Sequence, residues 1–221
     1  FALLVVGCEN PTINEEYVNT IGSDSSWLIQ INDYYCAFDS LEKKILFPID
    51  ATSINAFNGI IEYPIDYYEH IFIDDIMIES GDMFNFGNIV IDQIIPITFI
   101  IDSEFINYDL IFTILPTILI FTEEDIVDEP KISSRMIVND IYQKEVYNIY
   151  AGIEIRGGTS QNFPKKSYDI ELWEDQIGSD TNKEELFGLR NDDDWHLDAM
   201  YIDLSKTRNI LGMETWSSFA R

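Results

Sequence analysis

G-I-E-I-R-G-G-T-S-Q-N-F-P-K-K-S-Y, residues Gly152 to Tyr168, begins as an alternating strand with Ile153 and Ile155 on one side and Glu154 and Arg156 on the other. The alternation breaks at Gly157-Gly158, where the backbone can take angles that a side chain would forbid, and it resumes after Pro164. This is a β-hairpin with a glycine tip. Around the tip stand two hydroxyls, Thr159 and Ser160, an arginine at the entrance and two lysines, Lys165 and Lys166, at the exit. Free N–H groups and positive charge gathered at one turn suit a phosphate.

That cluster of cations is unusual for this chain. Acidic residues number 40 against 13 basic, a formal net charge of −27, so the field of the molecule repels nucleic acid and anionic membrane surfaces. A nucleic-acid partner is not expected. With 46% hydrophobic and 14% aromatic residues in 221, the chain holds enough apolar surface to fold as one large or two smaller domains. The acidic surface is explained by solubility or by a basic partner.

Upstream of the hairpin, from Trp27 to about Phe121, short apolar runs alternate with turn residues. Trp27–Ile31, Tyr34–Phe38, Lys44–Pro48, Ile71–Ile73, Ile76–Ile78, Ile89–Ile91, Pro96–Ile101 and Tyr108–Leu115 read as strands, and Asn58-Gly59 reads as a turn. Isoleucine and aromatic side chains fit a pleated, half-buried surface. The spacing predicts an antiparallel β-sandwich over residues 27–114. Asp66, Asp74 and Asp75 fit no calcium loop and read as solvated turn carboxylates, and His70 has no second ligand beside it. The run from Leu115 to Phe121 opens a second unit, residues 115–221, whose strands lead to the hairpin.

Cys8 follows the apolar run Leu4-Val5-Val6-Gly7, which resembles the lipobox of a bacterial lipoprotein signal with its beginning missing. On that reading residues 1–7 are removed, Cys8 is the lipidated first residue, and 9–26 is a polar tether. The alternatives are an ordinary first strand with a buried cysteine, or a disulfide from Cys8 to Cys36. No stretch reaches the roughly 18 apolar residues of a spanning helix, so membrane attachment would come only through the lipid.

Three blocks carry a family resemblance: I-E-I-R-G-G-T-S-Q-N-F-P-K-K-S-Y-D-I-E-L at Ile153–Leu172, E-L-F-G-L-R-N-D-D-D-W-H-L at Glu185–Leu197 and Y-I-D-L-S-K-T-R-N-I-L at Tyr201–Leu211. In order and spacing they resemble the opening half of the spore-coat CotH family, which has an atypical protein-kinase-like fold, and the likeness covers about Leu115 to Arg221. It implies an α+β chain in which the β-sandwich is followed by the strand-rich first lobe of a kinase-like domain. It also implies a secreted or lipid-anchored, extracytoplasmic protein that transfers the ATP γ-phosphate to serines of a partner protein, with Mg. The expected partner is a basic, serine-rich protein. The catalytic and metal-binding residues are expected beyond residue 221, so the chain is expected to be a fragment that does not turn over. The alternative is a catalytically silent acidic surface protein used for adhesion or assembly.

Within that resemblance Arg156, Gly157, Gly158 and Ser160 surround the nucleotide. An amine at the start of a strand beneath a Gly-rich turn holds phosphate oxygens in kinase-like folds. Strand parity puts Lys166 on the face of Tyr168 and Ile170 and prefers it to Lys165 for this role; the other reading is that both lysines balance Asp169 and Glu171. Arg156 is able to bind phosphate or to pair with a carboxylate such as Glu171. A helix from about Lys206, capped by Asp203 or Ser205, matches the family's R-N pair at Arg208-Asn209 and is expected to turn Ile210, Met213, Trp216 and Ala220 to the core. Glu214 on that helix is the candidate partner of Lys166, or an exposed carboxylate. Asn191 to Asp194 read as a turn of solvated aspartates that seats Trp195. There is no G-x-x-x-x-G-K-[ST], which excludes an ordinary P-loop.

Overall fold

A computed structural model describes residues 4–7, 28–40, 42–205 and 207–219. In chain order the strands are β1 (Leu4–Gly7), β2 (Gln30–Ile31), β3 (Tyr34–Tyr35), β4 (Ala37–Asp39), β5 (Lys44–Pro48), β6 (Phe57–Glu62), β7 (His70–Ile73), β8 (Ile76–Ile78), β9 (Asp82–Gly87), β10 (Ile94–Ile101) and β11 (Glu104–Thr113). Then come β12 (Thr117–Thr122), β13 (Ile132–Asp140), β14 (Glu145–Arg156), β15 (Ser167–Trp173), β16 (Asp194–Leu197) and the helix α1 (Arg208–Phe219). The fold is strand-rich, in three sheets ordered β4-β5-β11-β10-β7-β8, β3-β2-β6-β9 and β1-β12-β13-β14-β15-β16.

The first two sheets share one core. Alternation along β10 buries Ile97, Phe99 and Ile101, and the facing sheet contributes Ile31 and Ile61. Phe112 meets Phe57 at 5.7 Å and Phe86 at 5.1 Å between ring centroids. Each fully buried side chain of this size stabilises the fold by about 1.5–3 kcal/mol relative to exposure.

Three local expectations are corrected. The sandwich is mixed, because β5 runs parallel to β11 from Lys44 beside Asp109 to Pro48 beside Thr113; the chain between them passes through the other sheet, a crossover that no hairpin can make. Asn58-Gly59 is no turn but part of β6, and Gly59 is there for space, since a Cβ would stand 2.4 Å from the Ile31 Cγ2. Ile89–Ile91 is not a strand; β9 precedes it, and of those three residues only Ile89 is buried.

The sequence admits several readings of residues 1–8. Leu4–Gly7 form a strand parallel to Thr117–Ile120, while Cys8 and the segment 9–26 lie outside the described residues. Cys36 is buried.

The third sheet has two unlike faces. One carries its own core, with Ile132, Met136, Val138, Ile149, Ile153 and Leu172. On the other, Leu119, Phe121 and Ile137 join the sandwich core. Farther along that second face, over β14 to β16, the register brings together Glu154, Arg156, Asp169, Glu171 and His196. Asn139, fully buried, joins the two units: its amide donates to the Tyr35 carbonyl and to Thr117 Oγ1, both at 2.8 Å, and accepts from the Tyr35 N–H at 3.0 Å.

α1 departs from expectation. Met213 and Trp216 are 72% and 74% exposed rather than turned to a core, because the helix meets the sheet by its N-terminal end. The side chains of Ile210, Glu214 and Ala220 lie outside the description.

Candidate functional site

β14 and β15 pair from Tyr150 beside Trp173 to Arg156 beside Ser167. Beyond Arg156 the chain must turn sharply, and Gly157 does so at φ +96°. A Cβ there would lie 2.2 Å from Ser160 Oγ, so glycine is required both by the angle and by the neighbour. Thr159–Asn162 form a 3₁₀ turn. Ser160 Oγ donates to the Arg156 carbonyl at 3.3 Å, and Gln161 Nε2 donates to Asp128 Oδ1 at 2.6 Å. The tip is stitched to itself and to the acidic loop after β12.

The facing wall is built by residues 198–209. Asp198 Oδ1 accepts from the Met200 N–H at 2.9 Å and from Ser167 Oγ at 3.4 Å; its Oδ2 accepts from Asn209 Nδ2 at 2.6 Å. One carboxylate thus ties the end of β16, the start of β15 and the first turn of α1. Asp203 caps that helix, accepting from the Arg208 N–H at 2.8 Å and from Ser205 Oγ at 2.6 Å. Hydrogen bonds from the Ser205 side chain and the Arg208 backbone hold its carboxyl down at about 2. Phe163 from the tip stacks on Tyr201 with centroids 5.1 Å apart and closes one end.

Between the walls lies an open cleft of about 470 Å³, lined among others by Arg156, Gly157, Ser160, Lys165, Arg208 and Asn209. Its cations are held differently. Arg208 Nε lies 3.5 Å from Asp203 Oδ1. Arg156 Nε pairs with Asp169 Oδ1 at 3.2 Å, and its terminal nitrogens have no partner among the described residues. Lys165 has none either among the described residues. A guanidinium close to a carboxylate but making no hydrogen bond among the described residues, beside an uncommitted ammonium, is able to receive an oxyanion.

Of the residues expected here, Arg156, Gly157 and Ser160 come together at the cleft. Gly158 is exposed with open space around it. Lys166 donates to the Gln161 carbonyl, and it is Lys165 that lines the cleft. Parity favoured Lys166, but β15 begins only at Ser167, so strand alternation does not reach back to either lysine. Arg156 takes Asp169 rather than Glu171: Asp169 stands beside Glu154, one diagonal step from Arg156, while Glu171 is two residues farther along. Asp192 and Asp193 are paired rather than solvated, with Arg190 and with Lys183 (3.1 Å); the Lys183 hydrogen bond holds Asp193 down at about 2. Trp195 packs on the second core and donates to the Asp192 carbonyl at 2.9 Å. Phe163, Tyr201 and Asn209 also line the cleft, and the sequence alone gives no sign of it, because Tyr201 and Asn209 reach it only through the fold of residues 198–209.

The open fork and the ammonium fit a polyphosphate. Among the described residues no group of three or more His, Cys, Asp or Glu is placed to hold a metal ion.

Residues 153–220 match the family model described as CotH kinase protein. The match spans the end of β14, the hairpin tip, β15, β16 and all of α1, so it contains both walls of the cleft. No curated protein and no solved structure matches the chain.

Proposed function

We propose that this cleft holds the phosphates of ATP in a CotH-like protein kinase that, when whole, transfers the γ-phosphoryl group to serine hydroxyls of an extracytoplasmic protein. The observation that carries the reading is the pair of uncommitted cationic ends, the Arg156 fork and the Lys165 amine, facing one cleft. Acidic residues outnumber basic ones 40 to 13, yet the Lys165 amine at the cleft has no carboxylate partner among the described residues. On this reading the third sheet and α1 form the first lobe of a kinase-like domain.

The residues in this chain bind and neutralise. Arg156 and Lys165 take phosphate oxygens, Gly157 lets the backbone approach, Ser160 offers a hydroxyl, and Lys166 braces the tip through the Gln161 carbonyl. Such positioning and charge stabilisation make up most of what a protein contributes to phosphoryl transfer. Magnesium, when present with ATP, neutralises the developing charge on the phosphates.

Isothermal titration of the chain with Mg-ATP, ADP and inorganic tripolyphosphate tests this. Saturable binding that Arg156→Ala or Lys165→Ala abolishes supports it. If no phosphate compound binds at millimolar concentration, the proposal falls and the non-catalytic acidic surface protein remains.

A further inference from the structure

The sheet β3-β2-β6-β9 carries a hollow that shares no residue with the phosphate cleft. Ile31 and Ile61 turn into the sandwich core, so their neighbours along β2 and β6 point to the outer face. There the register sets Gln30 beside Tyr35 on one side and beside Glu62 on the other, a row of three side chains across β3, β2 and β6. All three line the hollow. We propose that this row is the floor of a binding site for a neutral oligosaccharide.

The turn before β9 forms a wall that is fixed to β6. Ser80 Oγ accepts from the Tyr63 N–H at 3.0 Å and donates to the Tyr63 carbonyl at 2.8 Å, and the Gly81 N–H donates to the Ile61 carbonyl at 2.8 Å. The space so bounded is about 520 Å³, inside the range of about 300–1,000 Å³ of small-molecule sites.

The lining decides the class of ligand. No lysine or arginine lines the hollow and Glu62 does, which turns away phosphates and other anions. A single carboxylate is too few for a metal ion. The Gln30 amide and the Glu62 carboxylate make no hydrogen bond or ion pair among the described residues, so a wholly apolar guest would cover polar groups without pairing them. β2, in the middle of the row, is paired on both edges, and a peptide laid over this face finds no backbone ladder to extend. A neutral chain of hydroxyls meets every condition. The amide donates and accepts, the carboxylate accepts, and the half-buried Tyr35 adds an apolar ring with a polar tip. Sugars with equatorial hydroxyls carry the matching apolar face of C–H groups.

The probe is cellotriose, a neutral trisaccharide with equatorial hydroxyls, titrated calorimetrically into the full chain without nucleotide. Saturable binding is expected, and Gln30→Ala and Glu62→Ala should each weaken it by about two- to ten-fold, the range of one lost hydrogen bond. Glu62→Gln keeps an acceptor and drops the charge. It should bind cellotriose within about two-fold of wild type and bind the corresponding triuronic acid more tightly than wild type does, an exchange that a merely structural carboxylate would not produce. Near-ultraviolet circular dichroism verifies that the variants fold; should Gln30→Ala fail to, the Glu62 variants decide, because that side chain is exposed. No binding of cellotriose by wild type at millimolar concentration, equal affinity of wild type for the neutral and acidic sugars, or unaltered binding by the folded alanine variants overturns the proposal. Triglycine bound as tightly as cellotriose overturns it too, in favour of a peptide surface. The phosphate cleft stands or falls separately, since none of these titrations contains a phosphate.

Discussion

The hairpin tip makes two neighbouring glycines unequal, and replacing each with alanine is a sharp test of the cleft. At Gly157 the φ of +96° is strained for an L residue by about 1–2 kcal/mol. The new Cβ would stand 2.2 Å from Ser160 Oγ, which forces that hydroxyl away from the Arg156 carbonyl and gives up a hydrogen bond worth about 0.5–1.5 kcal/mol. Together these amount to about 1.5–3.5 kcal/mol against the observed tip, roughly a 10- to 400-fold loss in its population. At Gly158 φ is −88° and nothing lies within 4 Å of a built Cβ, so Gly158→Ala should change little. Titration calorimetry with Mg-ATP should show at least about a ten-fold weaker Kd for Gly157→Ala and at most about a two-fold change for Gly158→Ala, surface substitutions being worth about 0.5 kcal/mol or less. Urea denaturation run in parallel verifies that both variants keep their cores. Equal effects at the two positions, or unaltered binding by Gly157→Ala, would refute the claim that this backbone shape builds the site.

Lys165→Ala should weaken ATP binding more than Lys166→Ala at the same pH by titration calorimetry; the reverse order would return the phosphate role to Lys166. Asn139→Ala strands the Tyr35 backbone groups and the Thr117 hydroxyl, and should lower stability by about 2–3 kcal/mol in a urea titration; an unmoved midpoint would show that the junction does not depend on it. Asp203 is held at about 2 in the folded state, below the ordinary carboxyl value. Its contribution to α1 is therefore full above about pH 4 and is lost as pH falls from there towards 2. Helical circular dichroism should decline over that window in the wild type and lose that pH dependence in Asp203→Asn.

Local pattern made the hairpin legible: Ile153 and Ile155 alternate with Glu154 and Arg156, and Gly157 breaks the run. It also predicted most sandwich strands, where isoleucine and aromatics recur between turn residues. What failed depends on distant neighbours. Gly59 looks like a turn residue and is a packing residue, because Ile31 and Phe86 lie over it. β9 leaves little trace in the sequence because Met83, largely exposed, interrupts its apolar pattern. The parallel β5–β11 pair leaves no trace in either strand, and the wall made by residues 198–209 is set by Asp198, whose partners Ser167 and Asn209 lie on separate elements.

The core under β12 and β13 does not stop at residue 114. Leu119, Phe121 and Ile137 belong to the sandwich's interior, and Asn139 is bonded to Tyr35. A chain cut between the two units would bare that oily strip on one piece and a matching hollow on the other. Expressed alone, the cleft-bearing half should be poorly soluble, and the two halves supplied together should recover each other.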